Sequence, residues 1–216
     1  MTMTLYIGTP AVSSWSMRPY LALAEAGAQF AVTTIDLDRS DTATQLQAIS
    51  PTGRVPVLTH EDLVLPDSLA ICEYAAELFP EALLWPTDRA TRARARAVSC
   101  EMHAGFTALR RDMPMNLLED RHGHGQTLEA AADIRRVHQL WHVALAASGG
   151  PYLFGAFSIA DAMFAPVATR FTTYGVELDA TCRAYVAALA ALPAMVRWRA
   201  VARGTASDLS TLSANA

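Results

Sequence analysis

Residues 11–27 read AVSSWSMRPYLALAEAG: three hydroxyls, at Ser13, Ser14 and Ser16, surround one tryptophan, and an apolar, alanine-rich helical pattern follows at once. Serine is a preferred helix N-cap because its side-chain oxygen accepts one of the N–H groups left orphaned at a helix start. One cap needs one serine, so this stretch carries more hydroxyl groups than helix initiation requires. Outward from it, residues 4–8 (TLYIG) form a short strand, 16–26 the helix, and 30–37 (FAVTTIDL) a second strand rich in β-branched residues. That is a β-α-β unit. TATQLQAI reads as a helical turn, and VPVLT and LVLP as two brief strands separated by HED in a hairpin. DSLAICEYAAELF reads as a helix with Ile71, Tyr74, Ala75 and Leu78 on one face.

Beyond this point the pattern changes. Pro80 and Pro86 punctuate the chain, and Thr87 or Asp88 can cap the next helix. Helices are expected at 88–112, 127–147, 158–174, 180–190 and 193–203, with no convincing strand among them. The expected organisation is an α/β unit over 1–80, a linker over 81–87, an all-helical unit over 88–204, and a loosely ordered tail, TASDLSTLSANA, over 205–216.

Composition narrows the function. With 216 residues, 52% of them hydrophobic, the chain has ample material for a core. A formal net charge of −4 leaves no electrostatic footprint for nucleic acid. The arginines at 89, 92, 94 and 96 are spread around a helix and read as a solvated face. All 17 basic residues are arginine, which excludes a lysine Schiff-base mechanism. Cys72, Cys100 and Cys182 are odd in number and far apart, so neither a disulfide framework nor a C-x-x-C pair is available, and a reducing, cytoplasmic setting is expected. No basic segment followed by an apolar run opens the chain, and Pro193 breaks the longest apolar stretch, so neither leader nor membrane span is expected. HQLWH places His138 and His142 at the spacing used by zinc-binding helices but carries Gln139 where their glutamate stands, and no metal is expected. HGHG at 122–125 reads as a solvated loop.

Four landmarks then carry a resemblance: SSWS at 13–16 followed by Arg18, RVPVL at 54–58, Asp67-Ser68, and SIAD at 158–161. In this order, on an α/β unit followed by helices, they resemble the glutathione S-transferase family, and most of all its serine-type zeta class with the maleylacetoacetate isomerases. The resemblance implies a thioredoxin-like N-terminal domain (α/β) followed by an all-α domain, with glutathione as co-substrate. It also implies that a serine hydroxyl at the helix start stabilises the thiolate. A free thiol has a pKa of about 8.5, so the nucleophilic anion must be favoured by a donor and by the positive end of a helix. Ser13 aligns with the family's catalytic serine and Ser14 is the next candidate. Ser16, Arg54, Val55, Pro56, Asp67 and Ser68 are carried over as glutathione contacts. A cis bond before Pro56 would present the Val55 backbone for strand-like pairing, and the start of the helix at Ser68 would hold the γ-glutamyl carboxylate while Asp67 attracts its ammonium. Ser158 and Asp161 are read as a capping box without chemistry.

A second substrate is expected between the domains, near Trp15, His103, Met113 and Tyr174. Arg110 and Arg170 are singled out there because guanidinium binds carboxylates of a maleyl-type substrate in a bidentate way. The expected function is a glutathione transferase acting on a small electrophile by conjugation or cis-trans isomerisation. The alternative is a non-catalytic binding or regulatory protein on the same fold. By the same resemblance the chain is expected to form a homodimer.

Overall fold

The computed structural model describes residues 3–37 and 39–211. Strand β1 (Met3–Ile7), helix α1 (Ser14–Glu25) and strand β2 (Phe30–Thr34) form the β-α-β unit, with β1 and β2 parallel. Helix α2 (Thr42–Ile49) leads to the antiparallel pair β3 (Val57–His60) and β4 (Leu63–Leu65), and α3 (Ser68–Leu78) closes the unit. The sheet order is β2-β1-β3-β4. Leu5, Ile7, Phe30 and Leu58 of the sheet pack with Met17 and Leu21 of α1 and Ile71 and Ala75 of α3 in one apolar core.

Register brings three chain segments to one end of this sheet. Tyr6 pairs with Val57, so the chain leaving β1 toward Ser13 lies beside the chain that reaches β3 through Val55 and Pro56. Leu58 pairs with Leu65, so the end of β4, three residues before Ser68, emerges there as well.

The second half is helical: α4 (Arg89–Ala104), α5 (Thr107–Asp112), α6 (Leu128–Ser148), α7 (Ile159–Tyr174), α8 (Ala180–Ala191) and α9 (Pro193–Ala202). The expected helix over 88–112 is two helices. Gly105 ends the first, where a Cβ would sit 2.8 Å from the Glu101 carbonyl oxygen, and Phe106 takes a left-handed φ of 59°. The apolar spacing runs through this break, which is why the sequence pattern does not reveal it. In α7 every residue except Thr172 is buried. Its start is fully satisfied: Asp161 accepts from the Ser158 N–H and hydroxyl, the Leu153 N–H and the Tyr185 hydroxyl, at 2.9 to 3.1 Å. This is the structural role expected of SIAD.

Helix α9 ties the two halves together. Trp198 donates to the Pro10 carbonyl at 2.9 Å and its ring packs 5.0 Å from that of Tyr20. The Leu117 N–H donates to the Ala11 carbonyl at 3.0 Å, so the segment before α1 is held from two sides. Within the segment expected as a loose tail, residues 209–211 pack along β2 and residues 205 and 208 bond to α9. The Phe30 and Val32 N–H groups donate to the hydroxyls of Thr211 and Ser210, the Thr211 N–H donates to the Phe30 carbonyl, and Leu209 is buried. An edge strand with unpaired backbone groups gains from such cover. Residues 212–216 lie outside the described residues. No single helix among the described residues is long and apolar enough to cross a membrane.

Candidate active site

Residues 9–12 make a tight turn, in which the Val12 and Ser13 N–H groups both donate to the Thr9 carbonyl, and α1 begins directly after it. Ser13 stands at the N-cap position but caps no helix N–H. Its hydroxyl donates to Ser16 Oγ at 2.7 Å, and Ser16 Oγ also accepts the Gly8 N–H at 3.2 Å. A Cβ at Gly8 would lie 3.0 Å from Ser13 Oγ, so a glycine leaves that hydroxyl its space. Ser14 Oγ has no hydrogen-bond partner among the described residues, although the side chain is nearly buried. The three serines therefore divide. Ser13 and Ser16 engage each other, and Ser14 holds an unengaged donor at the positive end of a three-turn helix.

The Val55–Pro56 bond is cis, as the resemblance implied. Val55 N–H and carbonyl have no hydrogen-bond partner among the described residues. Arg54 is exposed, its backbone held by two hydrogen bonds with Ser50. At the start of α3, Asp67 Oδ1 accepts from the Leu69 and Ala70 N–H groups, the capping role any N-cap aspartate would take, while Oδ2 lies 3.4 Å from His103 Nε2. Ser68 Oγ is buried and without a partner. Beside the same sheet end there are thus a free serine hydroxyl, an unpaired peptide backbone and a buried orphan hydroxyl at a helix start.

Across from α1 lie α4, α5 and α7. Trp15, 37% exposed, has the Arg18 guanidinium carbon 4.2 Å and the Arg110 one 4.6 Å from its ring centroid, and its ring meets the His103 ring edge-on at 5.2 Å. Burial lowers the His103 pKa, Arg18 and Arg110 lower it further, and Asp67 opposes them. Arg110 donates through Nε to the Gly105 carbonyl at 3.0 Å and through Nη2 to that of Met102. Arg170, 3% exposed, donates through Nε to the Met113 carbonyl at 2.9 Å, and burial together with Arg110 pushes its pKa down to about 9. The structure therefore brings Trp15, His103, Arg110 and Arg170 together, and Met113 contributes its backbone. Tyr174 is buried and its hydroxyl donates to the Pro114 carbonyl at 3.0 Å, so it fastens the end of α7 to the loop after α5. Arg18 is the residue that the reading of individual positions passed over, although it belongs to the quoted motif. Cavities of about 860 and 770 Å³ lie elsewhere, beside α7 and α8 and between α4 and α6, and hold none of these groups.

The two histidines of HQLWH part company. His138 packs edge-on against Phe171, whereas His142 Nε2 lies 2.5 Å from the Asp179 carboxylate and 3.7 Å from Cys182 Sγ. Asp179 also caps α8 through the Cys182 N–H, so this ion pair belongs to the start of that helix.

Comparison with known proteins follows this geometry. The family model for the glutathione S-transferase N-terminal domain matches residues 12–78, and that for the C-terminal domain matches 101–201. The chain belongs to the glutathione S-transferase family. Among its relatives, Glutathione S-transferase 1 of Dianthus caryophyllus is 29% identical over 82% of this chain and 80% of its own length. A probable maleylacetoacetate isomerase of Caenorhabditis elegans is 29% identical over 77% and 78%. A glutathione transferase homologue from Burkholderia, solved with bound glutathione, superposes with a TM-score of 0.74 at 27% identity, covering 94% of this chain and all of the other.

Proposed function

We propose that this glutathione transferase binds glutathione along the end of the sheet where α1 and α3 begin, and presents its thiolate to a small electrophile in the cleft facing α4, α5 and α7. The observation that carries this reading is the set of unsatisfied groups there: the free Ser14 hydroxyl, the unpaired Val55 backbone and the orphan Ser68 hydroxyl. Buried polar groups are nearly always paired, and the buried Ser68 hydroxyl is not; with the partnerless Ser14 hydroxyl and Val55 backbone at the same sheet end it matches a peptide-like ligand with a sulfur at one end and a carboxylate at the other. Glutathione is what the Burkholderia homologue holds.

Ser14 is the principal thiolate donor in this account. Its proton is uncommitted, whereas Ser13 must first leave Ser16. One charge-assisted hydrogen bond together with the α1 N-terminus favours the anion and lowers the thiol pKa. Val55 pairs with the cysteinyl backbone, and the Ser68 hydroxyl and N–H, at the positive end of α3, hold the γ-glutamyl carboxylate. Asp67, already a cap, keeps Oδ2 for the ammonium. The sulfur adds to an activated carbon of the electrophile. At an activated double bond the π electrons pass to the neighbouring carbonyl as an enolate: its protonation from solvent gives a conjugate, whereas rotation about the former double bond and expulsion of the thiolate give an isomer; at a chloro-arene carbon, chloride leaves. The isomerase relative and the guanidiniums of Arg110 and Arg170 favour an electrophile bearing a carboxylate. A cytoplasmic homodimer is the form we propose for it.

Glutathione-dependent turnover of maleylacetone, a chloro-dinitro arene and an organic hydroperoxide tests this. Turnover of at least one, lost in Ser14→Ala while glutathione still binds, supports it. Glutathione binding without turnover of any substrate favours a non-catalytic protein.

A further inference from the structure

His142 on α6 and Asp179 and Cys182 at the start of α8 bring three metal-ligating side chains together from positions 37 and 40 residues apart in the chain. Their donor atoms, an imidazole nitrogen, a carboxylate oxygen and a thiol sulfur, all lie within 4.8 Å of one another. His142 Nε2 is 2.5 Å from Asp179 Oδ2 and 3.7 Å from Cys182 Sγ, so the acid and the thiol meet the same ring nitrogen. A histidine that relays a proton divides its two nitrogens between two partners, one that orients the ring and one that exchanges the proton. Here the three donors converge on one point instead. In a tetrahedral zinc site, with bonds of about 2.3 Å to sulfur and about 2.0–2.2 Å to nitrogen and oxygen, neighbouring donors stand about 3.3–3.6 Å apart. The Sγ to Nε2 distance is close to that value, and the half-exposed Asp179 carboxylate needs to swing outward by less than about 1 Å. Asp179 Oδ1 accepts the Cys182 N–H at 2.9 Å, so the helix cap fixes the carboxylate and leaves Oδ2 on the side of His142. Outer hydrogen bonds of this kind orient metal ligands. A cavity of about 360 Å³ lined by His142, Thr181 and Tyr185 opens beside the cluster and leaves room for water as a fourth ligand.

We infer that His142, Asp179 and Cys182 form a binding site for a borderline-soft divalent cation of the zinc class, and that the bound ion pins α6 to the start of α8. Imidazole and thiolate select such an ion over Mg²⁺ and Ca²⁺, which take oxygen ligands. Binding releases the Cys182 thiol proton to solvent. One thiolate and one carboxylate then balance the charge of the ion, so the positive end of α8 does not oppose it. The other histidine of HQLWH has no part in the site, because its ring packs edge-on against Phe171. No group of the glutathione cleft takes part either, so the inference does not depend on the transferase reading.

The test is a titration of the untagged full-length protein with Co²⁺ as a spectroscopic probe and Zn²⁺ as its competitor, without glutathione, whose own thiol binds these ions. One Co²⁺ per chain is expected, with the near-ultraviolet absorption of a cobalt–thiolate bond; Zn²⁺ should displace it and Mg²⁺ should not. Zn²⁺ at about a hundredfold excess over its Kd should raise the melting temperature by about 5–10 °C. Cys182→Ser should abolish the thiolate absorption, whereas Cys100→Ser, at an exposed thiol of α4, should leave it unchanged. Asp179→Asn retains a good N-cap for α8, so its melting temperature without metal should stay near wild type while Zn²⁺ binding weakens at least about tenfold. His142→Gln should weaken Zn²⁺ likewise, and His138→Gln should bind it as wild type does. A titration without a 1:1 endpoint, thiolate absorption that survives in Cys182→Ser, or Zn²⁺ affinity kept in Asp179→Asn and lost in His138→Gln would overturn the inference.

Discussion

Helices α1 and α7 both begin with serine inside the protein, and they treat their polar groups in opposite ways. At α7, Asp161 collects four hydrogen bonds and Ser158 is used twice in that set. At α1 the Ser14 hydroxyl has no partner among the described residues, and one turn further on Arg18 has three vacant nitrogens. A buried helix start that exists only to fold is closed like α7, because each unsatisfied group costs about 1–3 kcal/mol. The open α1 start retains that cost at Arg18, and in the proposed function the thiol of glutathione supplies the partner that the Ser14 hydroxyl lacks. The comparison predicts that mutations at α7 act on stability and those at α1 on chemistry.

The largest effect is expected at α7. Asp161→Ala leaves the Leu153 and Ser158 N–H groups and two hydroxyls buried without an acceptor, and should destabilise the protein by about 3–5 kcal/mol in urea unfolding. Next comes Ser14→Ala, which should lower kcat/KM about 100-fold, the scale for removing one donor to a developing or stabilised anion, with a melting temperature close to wild type. The reverse pattern, a stable Asp161→Ala or an unfolded Ser14→Ala, would break the contrast. A third effect is on pH. Burial raises the Asp161 carboxyl to about 6, above the usual carboxylate value in an unfolded chain. The folded state then binds the proton more tightly, so this group's contribution is fully present below about pH 4 and is lost as pH rises through 6. Unfolding free energy should fall over that window in wild type, and the Asp161→Asn variant should lack this component. The smallest effect is Ser13→Ala, expected to reduce turnover less than tenfold, since Ser13 donates to Ser16 and only supports the site from beside it. A loss larger than that of Ser14→Ala would exchange the two roles.

Much of this was legible in the sequence. The strand and helix order follows from periodicity, and the surplus of hydroxyls at 13–16, which capping alone does not account for, is the sequence signal behind the proposed thiolate donor. The SIAD start was readable as a capping box for the same reason that it is one here. Three features were not readable. The break at Gly105 lies inside an unbroken apolar pattern. The cover of β2 by residues 209–211 depends on a strand edge far away in sequence, to which short polar residues carry no signal. Arg18 sits among apolar residues of α1, and only the positions of α3, α5 and α7 around it show that no acceptor reaches it.

The most direct measurement is the thiol pKa of bound glutathione, read from thiolate absorbance across pH in wild type and in Ser14→Ala. A free thiol titrates at about 8.5. This account predicts a value below about 7 in wild type and a rise of at least about one unit in Ser14→Ala. A bound thiol that titrates at the free value in wild type, or one whose lowered pKa is untouched by removal of the Ser14 hydroxyl, would contradict it.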